Sequence, residues 1–149
     1  MLCAVTDLTL DLARRMTSAA LERASTDRAL VSAAVVDAGG HLVHFQRMDG
    51  AEIAGPTLAV DKAFTAVSHR IATAELTRLA APDGPLAGLQ ANGGGRYVVF
   101  GGGIPLWSGD LVVGAVGVSG GTVEQDVAAA SAALQVWSVE PGTGSAGLG

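Results

Sequence analysis

Apolar and polar positions along this chain follow two periods, and the switches between them mark its elements. Thr6 or Asp7 can cap a first helix, because a side-chain oxygen there accepts an orphan backbone N–H. Leu8, Leu12, Met16, Ala19 and Ala20 then recur at helical spacing to about Ala24, and the polar cluster Ser25-Thr26-Asp27 ends the stripe. Two apolar runs, 30–38 and 41–48, flank Gly39-Gly40, a dipeptide suited to the positive φ values of a two-residue hairpin turn. With the turn there, Val36 faces Val43 and Val35 faces His44. Ala34, Val36, His41, Val43, Phe45 and Arg47 then share one face, and Asp37, Leu42, His44, Gln46 and Met48 the other. Apolar residues on both faces place the pair inside a covered sheet.

A second helix is expected from about Gly55-Pro56. Val60, Phe64, Val67 and Ile71 form its core stripe, Ala59, Ala63 and Ala66 a flank of small side chains, and Lys62, Thr65 and His69 lie opposite the core. A short helix over 73–80 follows, then a connection over 81–95 rich in Pro, Gly, Asp and Asn, of a length that tends to be functional. Residues 96–100 read as a strand, Gly101-Gly102-Gly103 as a bend, 104–107 as an edge strand or turn, and 111–119 as a buried strand. Thr122-x-x-Gln125 fits a capping box for a last helix with Val123, Val127, Ala130, Leu134 and Trp137 on its buried face. The order is helix, two strands, one or two helices, about three strands, helix. Tight turns make the strands antiparallel, so the fold class is α/β in the α+β sense: a single domain over 1–139 with a central antiparallel sheet flanked by helices. The tail 140–149 carries too little apolar surface to offset its ordering entropy and is expected to be disordered.

Composition narrows the partners. Charged residues make up 15% of the 149 residues, below the ordinary ~25%. Much of the surface is then small, apolar or covered by copies of the chain, which points to a homo-oligomer. A formal charge of −5, with scattered arginines and a single lysine, leaves no footprint for nucleic acid. The one cysteine, Cys3, excludes an intrachain disulfide and a cysteine-cluster zinc site and reads as an incidental thiol. The first residues lack a basic start and a long apolar stretch, and no run of about 18 apolar residues follows, so no membrane is expected and the protein is read as cytoplasmic.

Several residues could carry chemistry. Neither 92–96 nor 101–103 ends in the Gly-Lys-Ser/Thr of a phosphate loop, whereas Ser119-Gly120-Gly121-Thr122 directly precedes the last helix and could hold a carboxylate or propionate on its N–H groups. His41 and His44 point to opposite faces of one strand and cannot share a metal from it. A single axial haem ligand is easier to supply, from His69 or His44, although a solvated helix face and a hydrogen-bonded core site are the ordinary readings of those two positions. Lys62 suits Schiff-base or general-base chemistry if desolvated, and otherwise pairs with Asp61 or Glu52. Arg47 and Asp49, ending the hairpin, read first as a structural salt bridge and second as an acid–base pair. No Gly-x-Ser-x-Gly elbow is present.

The blocks Val35-Val-Asp-Ala-Gly-Gly-His-Leu-Val43, Arg47-Met-Asp-Gly-Ala51, Asp61-Lys-Ala63 with Thr65-Ala66, Gly102-Gly-Ile-Pro-Leu106 and Val113-Gly-Ala-Val-Gly-Val-Ser-Gly-Gly121, followed by Gln125-Asp126, resemble the GlcG/HbpS-like family, related to the C-terminal domain of PduO-type proteins. The resemblance runs from about Thr6 to Trp137. It implies a helix-flanked antiparallel sheet, homo-oligomers, and haem or another small ligand. Matched positions are Asp37, Arg47, Asp49, Lys62, Gly102, Gly103, Pro105, Ser119, Gly120, Gly121 and Asp126. His44, Gln46, His69-Arg70, Trp107 and Val127 depart from the family's usual pattern. The leading expectation is a haem-binding or similar small-ligand domain, with His44 or His69 as ligand and Arg47 or Lys62 on propionates. The alternative is a cofactor-independent isomerase, tautomerase or cyclase acting on a small carbonyl compound. Lys62 or His69 would move the proton, and Arg47 with the Ser119–Gly121 amides would stabilise an enolate or carboxylate.

Overall fold

The computed structural model describes residues 7–140. Thr6, Cys3 and the tail from 141 onward lie outside the described residues. The first helix, α1 (Leu10–Thr26), begins later than its apolar stripe suggests: the cap is Thr9, whose hydroxyl accepts from Leu12 N, and Leu8 packs on the core from outside the helix.

The hairpin forms as β1 (Ser32–Asp37) and β2 (Leu42–Arg47), with one change of register. Val35 pairs with His44 as expected, but Val36 pairs with Leu42 rather than Val43 across an irregularity in the ladder. Asp37 sets it. Its carboxylate accepts from both Gly39 N and His41 N at 2.9 Å, drawing the turn into a side-chain-capped loop in which only Gly40 has positive φ. Val43 therefore joins the opposite face from Val36, packing on the α1 side. β1 is buried on both faces, whereas β2 is an edge strand and half exposed.

The helices α2 (Ala54–His69) and α3 (Thr73–Leu79) come next, then a connection with 3-10 turns at Leu89–Ala91 and Gly93–Gly95. The expected strand over 96–100 does not form. Val98 N donates to the Thr65 hydroxyl and Val99 O accepts from Thr77, so helix side chains satisfy the groups that a ladder would have used. β3 (Gly103–Ser108) and β4 (Leu111–Ser119) complete one four-stranded antiparallel sheet of order β2-β1-β4-β3. α4 (Val123–Ser138) closes the fold with the expected capping box, Thr122 Oγ1 accepting from Gln125 N and Gln125 Oε1 from Thr122 N. Its buried face is Asp126, Ala129, Ala130, Ala133 and Trp137; Val123 is exposed, and Val127 and Leu134 are half-buried.

Three layers result. α1 and α4 cover Ala33, Val35, Val116 and Val118 on one face, and α2 covers Val36 and Ala115 on the other. The face of α2 that meets the sheet is the alanine flank: Ala59, Ala63 and Ala66 are fully buried together with Lys62 and Thr65, while Val60, Phe64 and Ile71 are only half-buried. The reason lies across the interface. A Cβ on Gly117 would collide with the Ala59 carbonyl oxygen and sit 2.6 Å from Ala63 N. Helix backbone thus rests almost directly on strand backbone, and only small residues fit between. Gly117→Ala should therefore cost about 3 kcal/mol or more by overpacking, read as a lower urea midpoint with unchanged slope.

Candidate functional site

Lys62 lies at the heart of the α2 interface, not opposite the core, and its side chain is fully buried. Its ammonium donates to the Val118 carbonyl at 2.9 Å and to the Asp126 carboxylate at 3.0 Å, and it sits 5.0 Å from the centre of the Phe100 ring. Neither partner anticipated for it is used: Asp61 instead binds Arg96 at 2.9 Å, and Glu52 contributes only through its nearby charge. Burial pulls the Lys62 pKa down, against the opposing pull of Asp126, and burial likewise pushes the Asp126 carboxyl up, against the pull of Lys62. Both ions are taken out of water, and each is the main compensation for the other.

Asp126 also answers the question raised by Ser119-Gly120-Gly121. Its second oxygen accepts from Gly121 N at 2.9 Å, and Gly120 N bonds the same carboxylate. The amides that could have held an external anion are held by the protein's own carboxylate, reaching back from the first turn of α4. Ser119 itself is buried beside Gly55 at the start of α2.

Gly102, Gly103 and Pro105 line a cleft of about 230 Å³ between α3, β3 and α4, with Ile104, Trp107, Val127 and Leu134 as further apolar wall and Glu75 at its side. Arg47 donates to the Ala51 carbonyl and makes no ion pair with Asp49, which is exposed. His44 pairs with Val35 on the α1 side of the sheet, half-buried. His69 ends α2 on the other side; its Nδ1 lies 2.9 Å from the Thr65 carbonyl oxygen, and its ring meets Tyr97 edge-on at 4.5 Å. Tyr97 stacks with Phe64 at 6.0 Å, and the Arg96 guanidinium lies 3.8 Å over the Phe64 ring.

Residues 8–135 match the family model of haem-degrading HbpS-like proteins. The chain belongs to this family. Among solved structures, this HbpS-like chain is similar to the Klebsiella pneumoniae protein ORFY, with 39% identity, TM-score 0.87, and 92% of this chain and 94% of that one covered. It is also similar to the protein of a PduOC:heme complex, with 37% identity, TM-score 0.86, and 91% and 99% covered. The corrinoid adenosyltransferase PduO of Salmonella typhimurium is 40% identical over 120 residues, 80% of this chain but only 36% of PduO, so the likeness reaches about a third of that protein.

In this HbpS-like chain the residues singled out from sequence do not converge on one point. Arg47 lies by the start of α2 and His69 at its end, about 24 Å apart for a helix of 16 residues. Lys62 is enclosed, and His44 lies across the sheet. Sequence reading missed Thr65, Tyr97 and Phe64 as the setting of His69, because Phe64 was placed in the core stripe; the i, i+4 spacing of Thr65 and His69 on one helix was the available signal. Asp126 stood among the matched positions without being paired to Lys62. Among the described residues no group of three potential ligands could hold a metal ion, and no helix is long and apolar enough to cross a membrane.

Asp126→Ala should destabilise the fold by about 3–5 kcal/mol, because it strands a buried ammonium. Adding Lys62→Met should recover part of that loss, so the double variant in a urea-unfolding cycle falls well short of the sum of the two singles.

Proposed function

We propose that this protein binds haem, or a flat ligand like it, as a homo-oligomer in the cytoplasm. The observation that carries the reading is the state of His69. A carbonyl oxygen only accepts, so the contact with Thr65 O places the ring proton on Nδ1 and leaves the Nε2 lone pair free to ligate. Histidines that bind metals are fixed in this way by a donor bond from their other nitrogen. Tyr97 and Phe64 supply apolar, aromatic surroundings of the kind a porphyrin needs. The PduOC:heme complex, similar to this chain over most of its length, supports the same ligand class.

The residues fit the group under one condition. His69, Tyr97 and Phe64 do not line the cleft of about 230 Å³, so one chain would offer a macrocycle a histidine and one aromatic wall rather than a closed pocket. A second subunit would supply the other wall, in keeping with the low fraction of charged residues. Bound haem would supply iron-centred redox chemistry. The chain's own residues would hold it through His69 Nε2 and pair its propionates with Arg70, the exposed left-handed residue that follows. Arg47 is too far from His69 to serve the same macrocycle within one chain, and Lys62 presents no donor to the surface. No proton carrier is exposed at Lys62, so the isomerase, tautomerase or cyclase reading gains nothing from the geometry.

Haemin titration of the purified apo protein should give a saturable Soret band. His69→Ala should shift that band and weaken binding by at least tenfold, while His44→Ala leaves both unchanged. A band indifferent to His69→Ala removes the ligand assignment, and no saturable band removes the haem reading.

A further inference from the structure

The cleft between α3, β3 and α4 is left unused by haem at His69, and its wall carries one charge without a counter-ion. Glu75, in the first turn of α3, is half-buried on this cleft and forms no ion pair among the described residues. Arg78, one turn further along the same helix, is exposed and does not pair with it. The start of α3 gives Glu75 a partial charge rather than a whole one. The buried ammonium of Lys62 lies behind Gly102, where a Cβ would sit 2.8 Å from Nζ, but Asp126 already neutralises it. Glu75 therefore sets the sign of the field in the cleft.

The rest of the wall suits the same kind of ligand. β3 ends the sheet, so one of its edges is turned away from β4. On that edge Gly103 N is taken by Thr73 Oγ1 at 2.9 Å, and Pro105, two residues on and so on the same edge, has no N–H. What the strand offers the cleft is therefore carbonyl oxygen, an acceptor, and no free amide. Trp107 is half-buried with its indole nitrogen out of reach of solvent, so the side-chain surface it offers is ring carbon. Ile104, Val127 and Leu134 complete an apolar wall.

We propose that this cleft binds small primary ammonium ions that carry a short alkyl chain, at a site separate from His69. The ammonium pairs with Glu75 and donates to the carbonyls of the β3 edge, while the alkyl chain lies on Ile104, Val127 and Leu134. A carboxylate held against apolar surface has lost part of its hydration, and a cation with N–H donors replaces it. An anion of the same size is repelled, and a neutral alcohol gains the apolar contact alone. The volume of about 230 Å³ exceeds the ~150 Å³ that accepts benzene, so a chain of a few carbons fits.

The test is a titration of ¹⁵N-labelled protein, without haemin and at constant ionic strength, with n-butylammonium chloride, 1-butanol and sodium butyrate, followed by amide chemical shifts. The expected result is saturable shifts at Gly102, Gly103, Trp107 and Val127, with butylammonium bound several-fold more tightly than 1-butanol and butyrate not bound. Glu75→Gln should lower butylammonium to the level of 1-butanol. Equal affinity of the wild-type protein for butylammonium and 1-butanol would overturn the assignment to cations, as would an unchanged affinity in Glu75→Gln. Shifts that do not saturate, or that lie only near exposed carboxylates such as Asp49, would overturn the site itself. With haemin absent and His69 off the cleft, each of these outcomes is separate from the haem reading.

Discussion

One buried ion pair sets the arrangement of everything around it. Lys62 of α2 and Asp126 of α4 meet with side chains that are 0% and 4% exposed, on opposite sides of the last residues of β4. Withdrawing two charges from water costs several kcal/mol per ion, which a bare Coulomb contact does not reliably offset. Here the pair is supplemented on both ends, by the Val118 carbonyl and the Phe100 ring on the cation and by the Gly120 and Gly121 amides on the anion. What this contributes is position more than net stability. A hydrophobic pair could slide by a turn of helix, whereas the ammonium has a single location where its partners are met, so α2, the end of β4 and the start of α4 are indexed to one another.

That indexing depends on the closeness of α2 to the sheet, and closeness explains which parts of the fold could be read from sequence. The hairpin, the edge position of 104–107, the buried strand 111–119 and the Thr122 capping box all follow from local chemistry, and all are present. The buried face of α2 is not local. Hydrophobicity favours Val60 and Phe64 for the core, but the strands opposite carry Gly103 and Gly117, which admit only the alanine face and draw Lys62 in with it. On α4, Ala129 and Ala133 are buried and Val123 is exposed. Val43 changed faces for a different reason: a carboxylate, Asp37, took two amides of the turn and drew an extra residue into β2. Composition reveals that a small residue is present, and only the facing element reveals that smallness is required there.

The candidate site shows the same division. Residue types were legible: His44, His69 and Lys62 were marked as side chains with chemistry to offer, and Gly102, Gly103 and Pro105 do share one cleft. Their grouping was not, because it depends on which partners satisfy them. Asp126 occupies the glycine amides that looked open to an anion, and the Thr65 carbonyl fixes the tautomer of His69.

The dispersal of these residues is itself informative about assembly. His44 and His69 lie on opposite sides of one sheet, and Arg47 lies a helix length from His69. The residues marked out by the sequence are therefore dispersed over the chain rather than gathered in one place. A flat ligand has two faces and gains most when both are covered. In the homo-oligomer proposed above, a complete site would arise where two copies meet, and a chain with only 15% charged residues would have few charges to desolvate there. Ligand binding and subunit contact would then be linked: whatever strengthens one strengthens the other by the same free energy.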